Sequence, residues 1–267
     1  MVGRQSISSW KWGAQPLFEY SELMRNLTVK EFKLRYRNSA LGFFWSLLNP
    51  LLMMIILTLV FSTLLRVGIE NFPVFLLTAL LAWRFFSIST SMSLSSIIGN
   101  SPLVTKVYFP RWLLVLSGNF ANLIGSTLEF AVLFPLLIFL GMKVTYLALL
   151  LPVILALEFM LIIGVSLILA SLNVYYRDVN QIWDIMLQLG FFLCPIIYSI
   201  TLIPERYIFT YSLNPMTRVI ESIRKILYYN TLPTIADFII VLAIGLLLLI
   251  IGYLTFSRLE SRFAEEI

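Results

Sequence analysis

The stretch ADFIIVLAIGLLLLIIGYLTF, Ala236–Phe256, decides the fold. Its one charge, Asp237, stands at its edge. A bilayer crossing by an α-helix takes roughly 20 predominantly apolar residues, and this stretch is of that length. Working outward, the same pattern recurs at about Ala40–Leu65, Phe72–Ile98, Trp112–Leu140, Val144–Asn173 and Val179–Ile200. The sequence therefore predicts an all-α, polytopic membrane protein with six transmembrane helices. The domain organisation expected is a single membrane domain over 1–267. Residues 1–39 form an N-terminal cytoplasmic or interfacial region, 40–256 the six-span region and 257–267 a cytoplasmic tail.

Composition points the same way. Hydrophobic residues make up 60% of the 267 and charged residues 12%, with a mean hydropathy of +0.92. A soluble domain carries about 25% charged residues; half that fraction leaves too little polar surface for water, and lipid must cover the rest. The chain has no histidine, which excludes zinc hydrolases, histidine-activated nucleophiles and imidazole relays. The single cysteine, Cys194, excludes an intramolecular disulfide and a cysteine-cluster metal site. The net charge of +5 fits basic residues held at a membrane surface better than nucleic-acid binding.

Lysine and arginine set the expected orientation. With the N-terminus inside, Arg4, Lys11, Arg25, Lys30, Lys33, Arg35, Arg37, Lys106, Arg111, Arg177, Arg258 and Arg262 are cytoplasmic. Arg66, Lys143, Arg206, Arg218, Arg224 and Lys225 are outside. Twelve against six places both termini in the cytoplasm. Residues 1–40 hold no early apolar core, so no cleavable leader is expected and the first span serves as the targeting signal.

Two amphipathic regions flank the spans. Tyr20, Leu23, Met24 and Leu27 follow the spacing of one helical face, and Thr28–Glu31 has the form of a capping box that starts a second helix. This segment is expected to lie along the bilayer surface; an arm packed on nothing is the competing reading. Before the last span, Asn214–Pro215 marks a turn and Met216–Leu227 a helix. Ile220, Ile223 and Leu227 share one side, Arg218, Glu221 and Arg224 lie toward another, and Glu221 can pair with Arg224 or Lys225. The expectation is a short extracytoplasmic helical hairpin.

Three segments carry a family resemblance: LTVKEFKLRYRNSALGFFWSLLNP (Leu27–Pro50), LVTKVYFPR (Leu103–Arg111) and VYYRDV (Val174–Val179), the last followed by PIIY (Pro195–Tyr198) and LNP (Leu213–Pro215). Their order and spacing resemble the permease subunits of ABC-2 type exporters for O-antigen, capsule and teichoic-acid polymers, from about Leu17 to Phe256. The resemblance implies a homodimer of six-helix subunits in the bacterial or archaeal cytoplasmic membrane. Each subunit would dock on a cytoplasmic ABC ATPase, two copies in all, to move a lipid-linked polysaccharide. No glycine in the chain is followed by lysine, so a phosphate loop is absent. No cofactor is expected on this chain, and ATP and Mg belong to the partner ATPase.

Site residues follow from that resemblance and from the residue types. Lys106, Val107, Tyr108, Phe109 and Arg111 combine basic charge with apolar knobs on a short cytoplasmic segment, suited to a groove on the ATPase; Arg177 and Asp178 at the next cytoplasmic turn are a second candidate contact. The residues alone equally fit ordinary membrane-edge loops. Arg35 and Arg37 suit a lipid diphosphate because guanidinium groups donate paired hydrogen bonds, and they equally suit snorkelling to anionic headgroups. The resemblance implies that Asn214, Pro215, Arg218, Glu221 and Arg224 close the outer end of a channel. Arg84, Glu129 and Glu158 are costly in hydrocarbon and either line a polar path or pair to lock helices. The tryptophans stand mostly near predicted span ends. An ABC-2 exporter of a drug or small lipid, a secondary transporter and a membrane-embedded transferase are the alternatives. Inverted repeats for the second and a carboxylate-pair motif for the third are not seen in the sequence.

Overall fold

The computed structural model describes residues 20–37, 42–66, 68–107 and 109–266. Every regular element among them is helical. In chain order these are α1 (Ser21–Tyr36), α2 (Phe44–Thr58, continued by a π-helical stretch, Leu59–Leu64), α3 (Phe72–Leu94), α4 (Ser101–Lys106) and α5 (Trp112–Phe139). Then follow α6 (Leu151–Tyr175), α7 (Val179–Leu193), α8 (Glu205–Leu213), α9 (Pro215–Leu227), α10 (Ile235–Leu259) and α11 (Phe263–Glu266).

Among the described residues, five helical stretches are long and apolar enough to cross a membrane: Phe44–Ser62, Phe72–Leu94, Trp112–Phe139, Tyr146–Tyr175 and Ile235–Glu266. The first four and the last of the expected spans fall on them. The fifth does not. Its helix, α7, has 15 residues and stops at Leu193, a length of about 22 Å against a hydrocarbon core of about 30 Å. The cause is local: Cys194 takes an extended conformation (φ −92°, ψ 145°) because Pro195 disfavours the helical region for the residue before it.

The helix α3 is the centre of the bundle. Phe72, Val74, Phe75, Leu76, Leu77, Ala79, Leu81 and Ala82 are all buried, covering the whole circumference of its first three turns. Helices α6 and α10 meet so closely that backbones touch. A Cβ on Gly164 would lie 2.7 Å from the Leu248 carbonyl carbon, and one on Gly252 would strike the Gly164 carbonyl oxygen. Small residues at such a crossing let two lipid-embedded helices approach and gain dispersion contacts. By contrast, α2 and α7 carry apolar side chains outward, among them Ile55, Ile56, Ile182, Ile185, Met186 and Leu189. No residue of α7 is buried, yet the helix is anchored: the Trp183 indole donates to Thr90 at 3.1 Å. Gly190 lets the Trp83 ring lie where a Cβ would stand at 2.7 Å.

The N-terminal segment is one helix, not two. Thr28 Oγ1 donates to the Met24 carbonyl at 2.8 Å, one turn back along α1, so the hydroxyl satisfies a helix carbonyl and caps nothing. The predicted apolar face is real: Leu27 is buried, and Tyr20, Leu23 and Met24 pack with it on a cluster that includes Ile97, Val104, Phe109, Leu113, Phe256 and Phe263. The competing reading, an arm packed on nothing, is thereby excluded. The α4 end of the bundle, with α1 and the C-terminal segment, is called the tail end below; the α8–α9 end is the hairpin end.

Candidate functional site

At the hairpin end, Asn214 ends α8 and begins α9. Its side chain accepts from the Met216 N–H at 3.0 Å, and Pro215 fills the first helical position, where no donor is missed. Ile220, Ile223 and Leu227 are buried as their shared face predicts, but Arg224 is buried with them, at 0% exposure. This corrects the expectation that Arg224 lies on the other side of the helix with Arg218 and Glu221. Its guanidinium donates to the carbonyls of Pro195, Ile196 (2.6 Å) and Phe75 (3.3 Å) and to Glu221 Oε1 (2.9 Å). It also lies 3.5 Å from the centre of the Phe75 ring. The turn after α7 is thus pinned to α3 and α9 by one side chain.

A second clamp joins α9 to α10. Asp237 takes Lys225 Nζ at 2.7 Å and the Arg218 guanidinium. The same carboxylate accepts from the Thr234 hydroxyl and N–H to cap α10. Arg218 Nε also donates to the Ser212 carbonyl at 2.6 Å. The Tyr228 hydroxyl donates to the Glu70 carbonyl. Burial, followed by the neighbouring Tyr229, raises the Tyr228 phenol's pKa and keeps it a donor. Among the expected gate residues Glu221 pairs with Arg224, while Arg218 is held by Asp237 and Ser212 and Asn214 caps α9.

Deeper in the bundle lies a polar seam. Asn119, Asn122, Ser126 and Glu129 are buried along one side of α5. Asn119 bonds Ser93 of α3, the Arg35 guanidinium donates to Asn122 and Met92, and Arg84 Nε lies 3.5 Å from Glu129 Oε1. Arg84 and Glu129 thus pair, one of the two roles open to them from sequence. Glu158 is fully buried, and among the described residues neither of its oxygens has a hydrogen-bond partner. Arg37, by contrast, is exposed at the end of α1.

At the tail end, Lys106 and Val107 are exposed while Phe109 is turned into the core. Tyr108 lies outside the described residues. Arg111 is engaged within the chain: its N–H donates to Glu260 Oε1 at 2.9 Å and its guanidinium to the Glu260 carbonyl. Arg177 and Asp178 are exposed beside Tyr176, and the Tyr175 hydroxyl donates to the Leu259 carbonyl at 2.9 Å. Phe263 is buried against Tyr175 and Phe256. The C-terminal segment therefore knits both candidate coupling turns into one surface. Beside it, a cleft of about 260 Å³ between α1, the end of α3 and the start of α5 is lined by Lys30, Ser95, Ser96 and Asn100 among others. Lys30 donates across it to Asn100 at 3.1 Å.

The family model described as ABC-2 type transporter matches residues 22–228, from α1 to the end of α9. The chain belongs to the ABC-2 type transporter family. Similar proteins from this family include an O-antigen export system permease protein of Myxococcus xanthus, 34% identical across 94% of this chain and 97% of that protein. One of the same description from Klebsiella pneumoniae is 33% identical across 91% and 94%. A polysialic acid transport protein of Escherichia coli is 24% identical across 74% and 78%. In this ABC-2 chain the residues that sequence reasoning passed over are Asn122, Asp237, Glu260 and Phe263. Asn122 had a signal: Asn119, Asn122, Ser126 and Glu129 repeat at helical spacing inside an apolar span. Glu260 and Phe263 had none, because their partners are far away in the chain.

Proposed function

We propose that the chain is the membrane subunit of an ATP-driven exporter of a lipid-linked polysaccharide. The carrying observation is the 34% identity with an O-antigen export permease over 97% of that protein's length. The polysialic acid transport protein supports the same substrate class. Two copies would meet through α2 and α7, whose outward apolar faces are exposed among the described residues. In that arrangement α7 and the extended turn after it complete a sixth crossing, and the pinned α8–α9 hairpin sits at the outer leaflet as the gate. Both termini are cytoplasmic, so the tail end faces the ATPase, which would carry ATP and Mg. Exposed Lys106, Val107, Arg177 and Asp178 form its docking surface, held in place by Arg111, Glu260 and Phe263. The polymer's diphosphate would enter at the tail end beside Arg35, with exposed Arg37 meeting surrounding headgroups.

The test is purification of the tagged chain from its own cells in mild detergent, with mass spectrometry of stoichiometric partners. Equimolar recovery of an ATPase carrying a phosphate loop is the expected result. An intact, dimeric chain recovered without an ATPase would overturn the proposal.

A further inference from the structure

Arg84 is placed where a crossing anion has least water. It stands twelve residues from the first residue of α3 and ten from the last, about 18 and 15 Å along the helix. Among the described residues its only polar contact is Glu129, at an ion-pair distance of 3.5 Å, and its Nε makes no hydrogen bond. A guanidinium has five N–H donors, so nearly all of this one's capacity is unspent. Packing alone would not leave it so. Arg224 shows how this fold satisfies an arginine it keeps for structure.

The charge count makes the same point. Arg35 joins the seam through Asn122 and Met92. Glu31, the acidic neighbour on α1, sits 3.8 Å from Lys30. Along this side of α5, among the described residues, two guanidiniums thus stand against one carboxylate, Glu129, while Glu158 is a separate buried carboxyl on α6. From Met92 to Arg84 the distance along α3 is about 12 Å, and from Asn122 to Glu129 along α5 about 10 Å. Between them Asn122 Nδ2 and Ser126 Oγ are buried without a partner among the described residues. An unpaired buried donor costs free energy unless a ligand or water meets it. A lipid phosphate supplies what is missing: several acceptor oxygens and at least one negative charge, matched to guanidinium donors.

We propose that Arg84 is an intramembrane binding residue for a phosphate-bearing lipid headgroup, receiving it from Arg35 along the polar side of α5, with Glu129 as the counter-ion the headgroup displaces. This rests on the export reading above and adds a station on the path.

The experiment measures binding of polyprenyl diphosphate, polyprenol and phosphatidylglycerol to the purified chain in micelles, alongside its thermal melt. Arg84→Gln is expected to weaken polyprenyl diphosphate about tenfold, the loss of one good charge-assisted contact. Glu129→Gln is expected to tighten it several-fold, and polyprenol should not respond to either. The charge-swapped double variant R84E/E129R should keep the wild-type melt but not the binding. Arg84→Lys, which keeps the charge, should bind between wild type and Arg84→Gln and covers the case in which Arg84→Gln does not fold. Equal binding of phosphatidylglycerol supports the site and assigns it to bulk headgroups; preference for the diphosphate assigns it to a carrier lipid. Binding unchanged in Arg84→Gln, or recovered by the swapped pair, would overturn the proposal. No ATPase enters the assay, so absence of that partner would remove the export reading without touching this result.

Discussion

Arg224 and Arg84 are both arginines that the bundle takes out of water, and the fold treats them in opposite ways. Arg224 has no exposed surface, donates to three carbonyls and a carboxylate, and lies on an aromatic face. Arg84 keeps 22% of its side chain exposed and has one carboxylate at ion-pair distance. The first is saturated and fixes geometry: it holds the turn after α7, the N-terminal part of α3 and the helix α9 in one arrangement. The second is unsaturated and leaves chemistry available. Charge alone therefore does not identify a ligand-binding arginine in a membrane bundle; the number of donors left open does.

Four substitutions break or sharpen that contrast, each read by thermal or denaturant unfolding in detergent. Arg224→Lys should be the most damaging, at about 3–5 kcal/mol, the range for breaking a buried ionic group's partners. A point-charge ammonium cannot span carbonyls on two elements as the planar fork does. Asp237→Asn should cost less, about 1.5–3 kcal/mol, because Lys225 and Arg218 are partly exposed and can turn to water. Glu158→Met should leave stability unchanged or raise it by about 1 kcal/mol, since it replaces a buried carboxyl with no partner among the described residues by a side chain of similar volume. Arg84→Gln should likewise change folding little, by under about 1 kcal/mol. A loss for Arg84→Gln as large as that for Arg224→Lys would mean that the two arginines do the same work, and the contrast would fail.

How much was legible in the sequence differs by element. The first four spans and the last were plain because a run of apolar residues long enough to cross lipid has no other stable use. The apolar face of α1 and the α9 turn were plain because helical spacing and the Asn214–Pro215 pair are local signals. Thr28 was misassigned because Thr–x–x–Glu is a capping box only where the chain before it is not helical, and here it is. The fifth span was overextended because apolar side chains continue past Leu193 while the backbone, answering to Pro195, does not. Arg224 was assigned to the wrong side because a guanidinium is ordinarily solvated, and three carbonyls that replace water for it come from segments 28 to 149 residues away.

By itself the sequence determined that this is a helical membrane protein, roughly where it crosses, and which family it resembles. Those properties depend on composition, on short-range periodicity and on ordered motifs, all carried by neighbouring residues. Only the tertiary structure decided that α7 stops short, that Glu260 and Phe263 brace the tail end, that Arg224 is a pin and that Arg84 is left with open donors. Each of these depends on which distant backbone carbonyl or carboxylate arrives beside a side chain. In a medium without water to stand in for a missing partner, that arrival fixes whether a charge is structural or free to bind.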